Sequence, residues 1–450
     1  MNPDRLKPYM LAAIAMMAAA CGSDTPSDGS DPKPDPNPPV SAQDASSDVL
    51  YEVNPRFYGD KGCLARVAAD IPRIAGMGCD ILWIMPPYQT GVLKSVGSPY
   101  CVKDYKSIDP VLGSMDDFKT LVNTAHANGM KVILDWVANH TSFDNVWTVS
   151  NPERYRKDGA GNISATQQWG DVAQLDYSVR STRDGMIDAM TYWVRETGVD
   201  GFRCDYAEGV PHDFWKEAID VLEKENAGII MLAESQQTDF WKDGFGLVYD
   251  WNFPSAVSSM FKNGNVSRFG EYVSDLNAGI VQGKNYMRYA FNHDVASENS
   301  VDTMYGGTDG TVAAYVLAAF SGGVPMIYSS MDVEGLKGKL SFFTNSHRDL
   351  KFSDNLTAVY AAINNAYSAS ATARGGKMKH YGSADAVVIG FENGNRQLLV
   401  MVNVSNIGKT VKTPIAFAGA RFMDLMDDTV SDLPVSIDLP AYGFKILINN

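Results

Sequence analysis

The chain of 450 residues is short of cysteine and histidine, with five of one and six of the other. No two cysteines form a CxxC pair, which speaks against a zinc site. Positive charge is also scarce: 38 Lys and Arg stand against 53 Asp and Glu, a net charge of −15. Nucleic-acid binding leans on many Lys and Arg contacts to phosphate, so this balance argues against it. A neutral ligand such as a sugar meets no such obstacle. The acidity also serves solubility and needs no ligand to explain it. The apolar run YMLAAIAMMAAA, residues 9–20, is shorter than the roughly 20 residues that cross a bilayer. Preceded by Arg5 and Lys7, it suits the core of a signal peptide.

Small residues lead from that run into Cys21. The stretch AAAC, residues 18–21, resembles a bacterial lipoprotein cleavage site, with Ala18 where Leu is usual. The resemblance implies a lipoprotein signal peptide over 1–21, cleaved so that Cys21 becomes lipidated and N-terminal, and an exported, membrane-anchored protein. A simply secreted protein is the competing reading. Residues 22–47 are rich in Pro, Asp and Ser and read as an extended tether. An acidic tract after a lipidated Cys resembles surface-export signals of outer-membrane lipoproteins, so the expected location is the outer membrane, extending to the cell surface. Export would permit pairing among Cys63, Cys79, Cys101 and Cys204, but nothing fixes a connectivity. Cys79 and Cys204 lie in strand-like runs and read as core residues.

What the chain does have is alternation. Strand-like runs occur at 49–53, 79–85, 131–136, 200–205, 229–234, 247–252, 286–292 and 324–330. Amphipathic helices lie between several of them. Ser114 and Asp117 make a capping-box start, Phe118, Leu121, Val122 and Ala125 form one face, and Gly129 ends the helix. A second helix covers about 182–197 and ends at Gly198. Eight βα units predict a parallel (β/α)8 TIM barrel, with a doubly wound open sheet as the rival. The barrel is expected over 48–372, with an inserted subdomain after the third strand, about 138–181, over the C-terminal face. After 372 the runs VVIGFE, QLLVMVNVS, TPIAF and FKILIN predict a C-terminal all-β domain, a β-sandwich over 373–450.

In such barrels the chemistry sits at the C-terminal ends of the strands. The third strand ends with Asp135, Asn139 and His140. The fourth, GFRCD, places Arg203 and Asp205 on one side, because residues two apart in a strand share a face. The fifth ends with Glu234. The seventh ends with His293 and Asp294. Paired carboxylates beside an Arg, without a phosphate loop, suit glycoside cleavage, where one carboxylate attacks and a protonated partner donates. Arg203 would keep Asp205 ionised. The apolar strand before Glu234 would raise its pKa.

The motifs DWVANH (135–140), GFRCD (201–205), AE (233–234) and FNHD (291–294), with SPYCVKDYKSIDPVLGSMDDF (98–118) ahead of them, resemble the α-amylase family, glycoside hydrolase family 13. The resemblance covers about 48–450 and implies a retaining hydrolase of α-1,4-linked, starch-like glucans or maltooligosaccharides. It implies Asp205 as nucleophile, Glu234 as general acid/base and Asp294 as the third carboxylate. Arg203 would orient the nucleophile, His140 and His293 would bind the sugar in the cleavage subsite, and Tyr100 would be the platform beneath it. Asp135 resembles a supporting position.

Many members hold calcium between barrel and insertion. Asn139 matches one ligand, but Gln174 stands where an Asp is expected, with Asp176 nearby. The usual Lys-His pair after the nucleophile is replaced in the stretch Ala207-Glu208, and Ser235 follows Glu234. SSMDVEG, residues 329–335, replaces a YxGxE pattern. These departures leave neopullulanase-, cyclomaltodextrinase- or α-glucosidase-like specificity open, and a glucan-binding protein without catalysis as a minor rival. Tyr88, Trp169, Tyr177 and Trp251 are candidates for stacking on sugars or for local packing.

Overall fold

The computed structural model describes residues 48–267, 269–270, 272 and 284–449. The signal-like run, Cys21 and the acidic tether lie outside the described residues. Eight parallel strands close into a barrel: β1 (Leu50–Val53), β2 (Ile81–Ile84), β3 (Lys131–Val137), β4 (Gly201–Asp205), β5 (Ile230–Ala233), β6 (Leu247–Tyr249), β7 (Asn285–Tyr289) and β8 (Val324–Tyr328). Each pairs with its sequence neighbour, and β8 returns to β1. The open doubly wound sheet is excluded by this closure.

Helices α1 (Cys63–Gly76), α2 (Met115–Ala127), α3 (Arg180–Thr197), α4 (His212–Glu225), α5 (Asn252–Asn263), α6 (Thr308–Phe320) and α7 (Asp354–Ala369) follow the strands around the outside. The expected capping box of α2 is present: Ser114 Oγ accepts from the Asp117 amide, and the Asp117 carboxylate accepts from the Ser114 amide. Gly129 beyond it has φ +76°, the left-handed turn that only glycine takes freely.

The strands divide their side chains by parity. On β4, Phe202 and Cys204 point outward into the helix-covered core. Gly201, Arg203 and Asp205 share the other face. A Cβ on Gly201 would sit 1.9 Å from the Ile230 carbonyl oxygen, so the neighbouring strand leaves no room for any other residue. Inside the barrel, Leu50, Ile81, Trp83, Ile133, Leu232, Leu247, Met287 and Val324 form a separate apolar plug.

The insertion after β3 carries a two-stranded ribbon, His140–Thr141 with Ala173–Gln174, and a short helix, Val146–Ser150. After α7 the chain forms a six-stranded antiparallel sheet and a separate two-stranded one, Lys409–Lys412 with Ser436–Leu439. Period-two alternation again sorts the faces. Val387, Ile389 and Phe391 join the main core with the barrel, while Ala386 and Val388 face Val411 and Leu439 of the small sheet. TPIAF, expected as a strand, is a turn instead. Pro414 supplies no amide, and its carbonyl accepts from the amides of Phe417 (2.9 Å) and Ala418 (3.2 Å), which curls the segment. No helix among the described residues is long and apolar enough to cross a membrane. The four described cysteines are buried and free.

Candidate active site

Arg203 is the centre of the barrel's upper end. Its side chain is wholly buried. Nη1 donates to Asp135 at 2.8 Å and to Asp205 at 3.0 Å. Nη2 lies 2.8 Å from Glu234 Oε1, a charge contact off the N–H axis rather than an aligned hydrogen bond. Nε donates to the Tyr249 hydroxyl at 3.1 Å. One guanidinium thus gathers three carboxylates from β3, β4 and the residue after β5. A cation buried this deeply is tolerated only with such partners.

The two carboxylates of the predicted pair differ in setting. Asp205 ends β4 and is 9% exposed. Burial pushes its carboxyl up, Arg203 pulls it down, and Asp135 and Asp294 push up again, leaving it at about 6. Glu234 accepts the Tyr206 amide on Oε2 at 2.6 Å, and its own amide donates to the Cys204 carbonyl at 3.0 Å. Tyr206 takes φ +39° to aim that amide, an uncommon conformation for a residue with a side chain. Burial outweighs Arg203 at Glu234, and the charges of Asp205 and Asp294 add to it, so its carboxyl rises to about 7. One carboxylate therefore gives up its proton before the other, which is how acid and nucleophile are told apart.

His293 and Asp294 start a short helix, His293–Glu298, whose first turn is capped by Asn292 accepting from the Val295 amide at 2.8 Å. The Asp294 side chain is 46% exposed and opens into the pocket. The Tyr100 ring stacks on His293 at 5.5 Å and 23°, and its hydroxyl donates to Asp135 at 2.9 Å. His140 is buried, and that burial pulls its imidazole down to about 4, so it is neutral. Asp135 is wholly buried and bonded to Arg203, Tyr100 and Trp83, a supporting place with no open side.

Tyr100, His140, Asp205, Glu234, His293 and Asp294 line one pocket of about 330 Å3. Of the residues to which the sequence resemblance gave a role in catalysis or in binding the cleaved sugar, all line it except Arg203, which lies beneath. Trp169 and Trp251 also line it and are partly exposed, as stacking surfaces would be. Tyr88 and Tyr177 do not: both are buried, with hydroxyls donated to the carbonyls of Asp135 and Ala138. Phe342 and Phe343, stacked at 5.2 Å and 10°, add an apolar wall that sequence reading missed. A larger cavity of about 720 Å3 lies alongside, on the far side of Glu208. Its Arg180 and Arg183 are already neutralised by Asp184, Asp213 and Glu217.

Two departures from the family pattern meet each other. Ser235 Oγ donates to Glu208 Oε1 at 2.6 Å. The site implied for calcium does not fit a divalent ion. Gln174 Nε2 donates to Asn139 O (3.0 Å), Asn139 Oδ1 (3.1 Å) and Leu175 O (3.3 Å), so an amide fills the space among the oxygens. Asp176 turns instead to the Ser178 hydroxyl and amide. That set offers no carboxylate to a hard cation, and no cluster of three or more His, Cys, Asp or Glu suited to a metal occurs among the described residues.

Comparison with known proteins bears on the fold. The family model described as alpha amylase, catalytic domain, matches residues 28–161. That match takes in less than a third of the chain. Alpha-amylase MalA of Haloarcula japonica is 25% identical over 321 residues, 68% of this chain and 47% of that protein. A cyclomaltodextrinase from a Bacillus species is 27% identical over 225 residues, 46% of this chain and 39% of that one. The chain thus spans about half the length of these relatives or less. The crystal structure of an alpha-amylase from Lactobacillus plantarum superposes with a TM-score of 0.79 at 25% identity, covering 90% of this chain and 100% of that one. The maltogenic alpha-amylase AmyB of Thermotoga neapolitana gives 0.80 at 24%, a likeness of fold, over 90% and 99% of the two chains.

Proposed function

We propose that the chain is a retaining glycoside hydrolase that cleaves α-1,4-glucosidic bonds of starch-like glucans or maltooligosaccharides. The observation that carries this reading is the shared guanidinium. Asp205 and Glu234 sit on its two terminal nitrogens, side by side. That favours the close carboxylate spacing of retaining enzymes, about 5–5.5 Å, over the wider 6.5–9.5 Å that leaves room for water in inverting ones. Asp205 attacks the anomeric carbon as Glu234 gives its proton to the departing oxygen. A glycosyl ester forms on Asp205. Glu234, now ionised, takes a proton from water, the water oxygen attacks the same carbon, and the ester bond breaks to restore both groups. Asp294, open to the pocket, holds sugar hydroxyls. His140 donates to the ring substituents, His293 lines the same subsite and holds Tyr100, and Tyr100 and the aromatic walls carry the sugar faces.

Specificity is part of the same proposal. The relatives include alpha-amylases, a cyclomaltodextrinase and a probable alpha-glucosidase. Glu208 in place of a cation on the leaving-group side supports an altered acceptor site. We also propose lipidation at Cys21 and anchoring to the outer membrane, supported by the apolar run and AAAC. Maltoheptaose digestion followed over time decides the main reading. Release of shorter maltooligosaccharides of retained anomeric configuration is expected, with cyclodextrin and pullulan as comparison substrates. Binding of maltoheptaose with no cleavage would leave a glucan-binding protein instead.

A further inference from the structure

Glu52 stands in the middle of β1, the run LYEV, and is wholly buried. No motif marks it. Its Oε1 lies 2.6 Å from His293 Nδ1. Its Oε2 is buried with no hydrogen-bond partner in the protein. A carboxylate in the interior of a barrel, half unsatisfied, is a costly feature that packing alone does not explain.

The hydrogen-bond directions around His293 say what it does. Tyr100 has one hydroxyl proton and donates it to Asp135 Oδ2 at 2.9 Å. The same oxygen lies 2.7 Å from His293 Nε2, so it can only accept there, and Nε2 carries hydrogen. Nδ1 faces the Glu52 carboxylate and carries hydrogen too. Both ring nitrogens therefore donate, which is the cationic imidazolium.

We propose that Glu52 is a positioning residue of this site, holding His293 cationic with its Nε2–H donated to the hydroxyl of Tyr100, the platform residue of the sugar pocket. The proposal rests on the glycosidase reading above. The surroundings agree from every side. Asp294 Oδ2 is 3.4 Å from Nε2 on the same segment, and Asp135 from β3 lies beyond Tyr100. Arg203 from β4 opposes the second positive charge, and Trp83 and Phe342 place ring edges against the imidazole. Burial lowers the His293 proton affinity, but Asp294, Glu52 and the bond to Glu52 outweigh it and push it up to about 9. The cation serves two ends. It makes a stronger donor to the Tyr100 hydroxyl than a neutral ring would, and so fixes the platform against which a sugar stacks. It also offsets part of the negative charge of Asp135, Asp205 and Asp294, which would otherwise be harder to keep ionised together.

The test is a histidine-selective NMR titration of the wild type, Glu52→Gln, Glu52→Asp and, for assignment, His293→Gln. Wild-type His293 is expected to titrate near 9, and in Glu52→Gln to move toward the ordinary 6.5. Glu52→Asp, which keeps the charge, should hold it well above that. In parallel, KM for maltoheptaose in Glu52→Gln should rise about tenfold between pH 6 and 8, with kcat changing far less, as expected for losing the charged donor that holds Tyr100 in place. A purely structural glutamate would lower the melting temperature and leave both pH dependences alone. Wild-type His293 titrating at or below 6.5, or the same high value in Glu52→Gln, overturns the proposal. Absence of any glucan cleavage by the wild type sinks the glycosidase reading instead, and the titration still judges Glu52.

Discussion

Leu50 and Glu52 stand on one face of β1, and Ile133 and Asp135 on one face of β3. In each pair the first residue belongs to the apolar plug and the second to an ionic layer above it. The two layers are one strand repeat apart. Trp83 and Tyr249 join them: both pack in the plug, yet Trp83 Nε1 donates to Asp135 and the Tyr249 hydroxyl accepts from Arg203. The contrast teaches how a barrel affords a charged centre. The lower layer supplies the stability and the rigid register. The upper layer breaks the rule that strand interiors are apolar, and such breaks mark functional sites.

Substitutions can pull the two layers apart. Asp205→Asn should have the largest effect, cutting kcat on glucan by something on the order of 10⁴-fold or more, while thermal unfolding shows no loss of stability. Next come paired changes of similar thermodynamic size and opposite meaning. Arg203→Met leaves three carboxylates without their cation and should cost about 3–5 kcal/mol by denaturant unfolding, together with nearly all activity. Leu232→Ala in the plug should cost about 2–5 kcal/mol, yet its folded fraction should keep kcat within a few-fold. If both variants lost activity in proportion to stability, the division into layers would be wrong.

A smaller effect depends on pH. The Glu234 carboxyl sits at about 7 in the folded protein against an ordinary 4.5. The folded state therefore holds that proton more tightly than the unfolded one. This stabilisation is complete below pH 4.5 and disappears as pH rises through about 7. Glu234→Gln cannot ionise, so its melting temperature relative to wild type should climb between pH 4.5 and 7. The same titration predicts a wild-type kcat/KM that peaks between about 6, where Asp205 ionises, and about 7, where Glu234 loses its proton. A flat profile across that window would remove the acid/base assignment. The smallest expected effect is outside both layers. Cys204→Ala, on the helix-facing side of β4, should cost about 1 kcal/mol and leave the pH profile unchanged.

Much of this was legible in the sequence because strand parity and strand ends are local properties. GFRCD alone announces that Arg203 and Asp205 share a face, and the eight runs place Glu234 one strand away. Glu52 was not read, because a single Glu in VLYEV looks like an ordinary strand residue. The available signal was its spacing of two from Leu50, inside a strand with no other polar residue. Tyr88 and Tyr177 were ambiguous because burial of a tyrosine depends on whether its hydroxyl finds a carbonyl, and those carbonyls belong to distant residues. Phe342 and Phe343 lie in a long loop after β8, where no periodicity tells which side chains turn back over the mouth.

Helix α6 is buried on all its sides from Gly310 to Phe320. It packs between the barrel and the strand Arg396–Val402 of the C-terminal sheet. The strand beside that one, Phe444–Ile448, comes from the last residues of the chain and sits inside the sheet, not at its edge. α6 is therefore enclosed by strands β7 and β8, helices α5 and α7, and the strand Arg396–Val402 together. The C-terminal sheet is thus part of the wall of the barrel's own core, and cutting the chain before Arg396 would expose the apolar side of α6 to water.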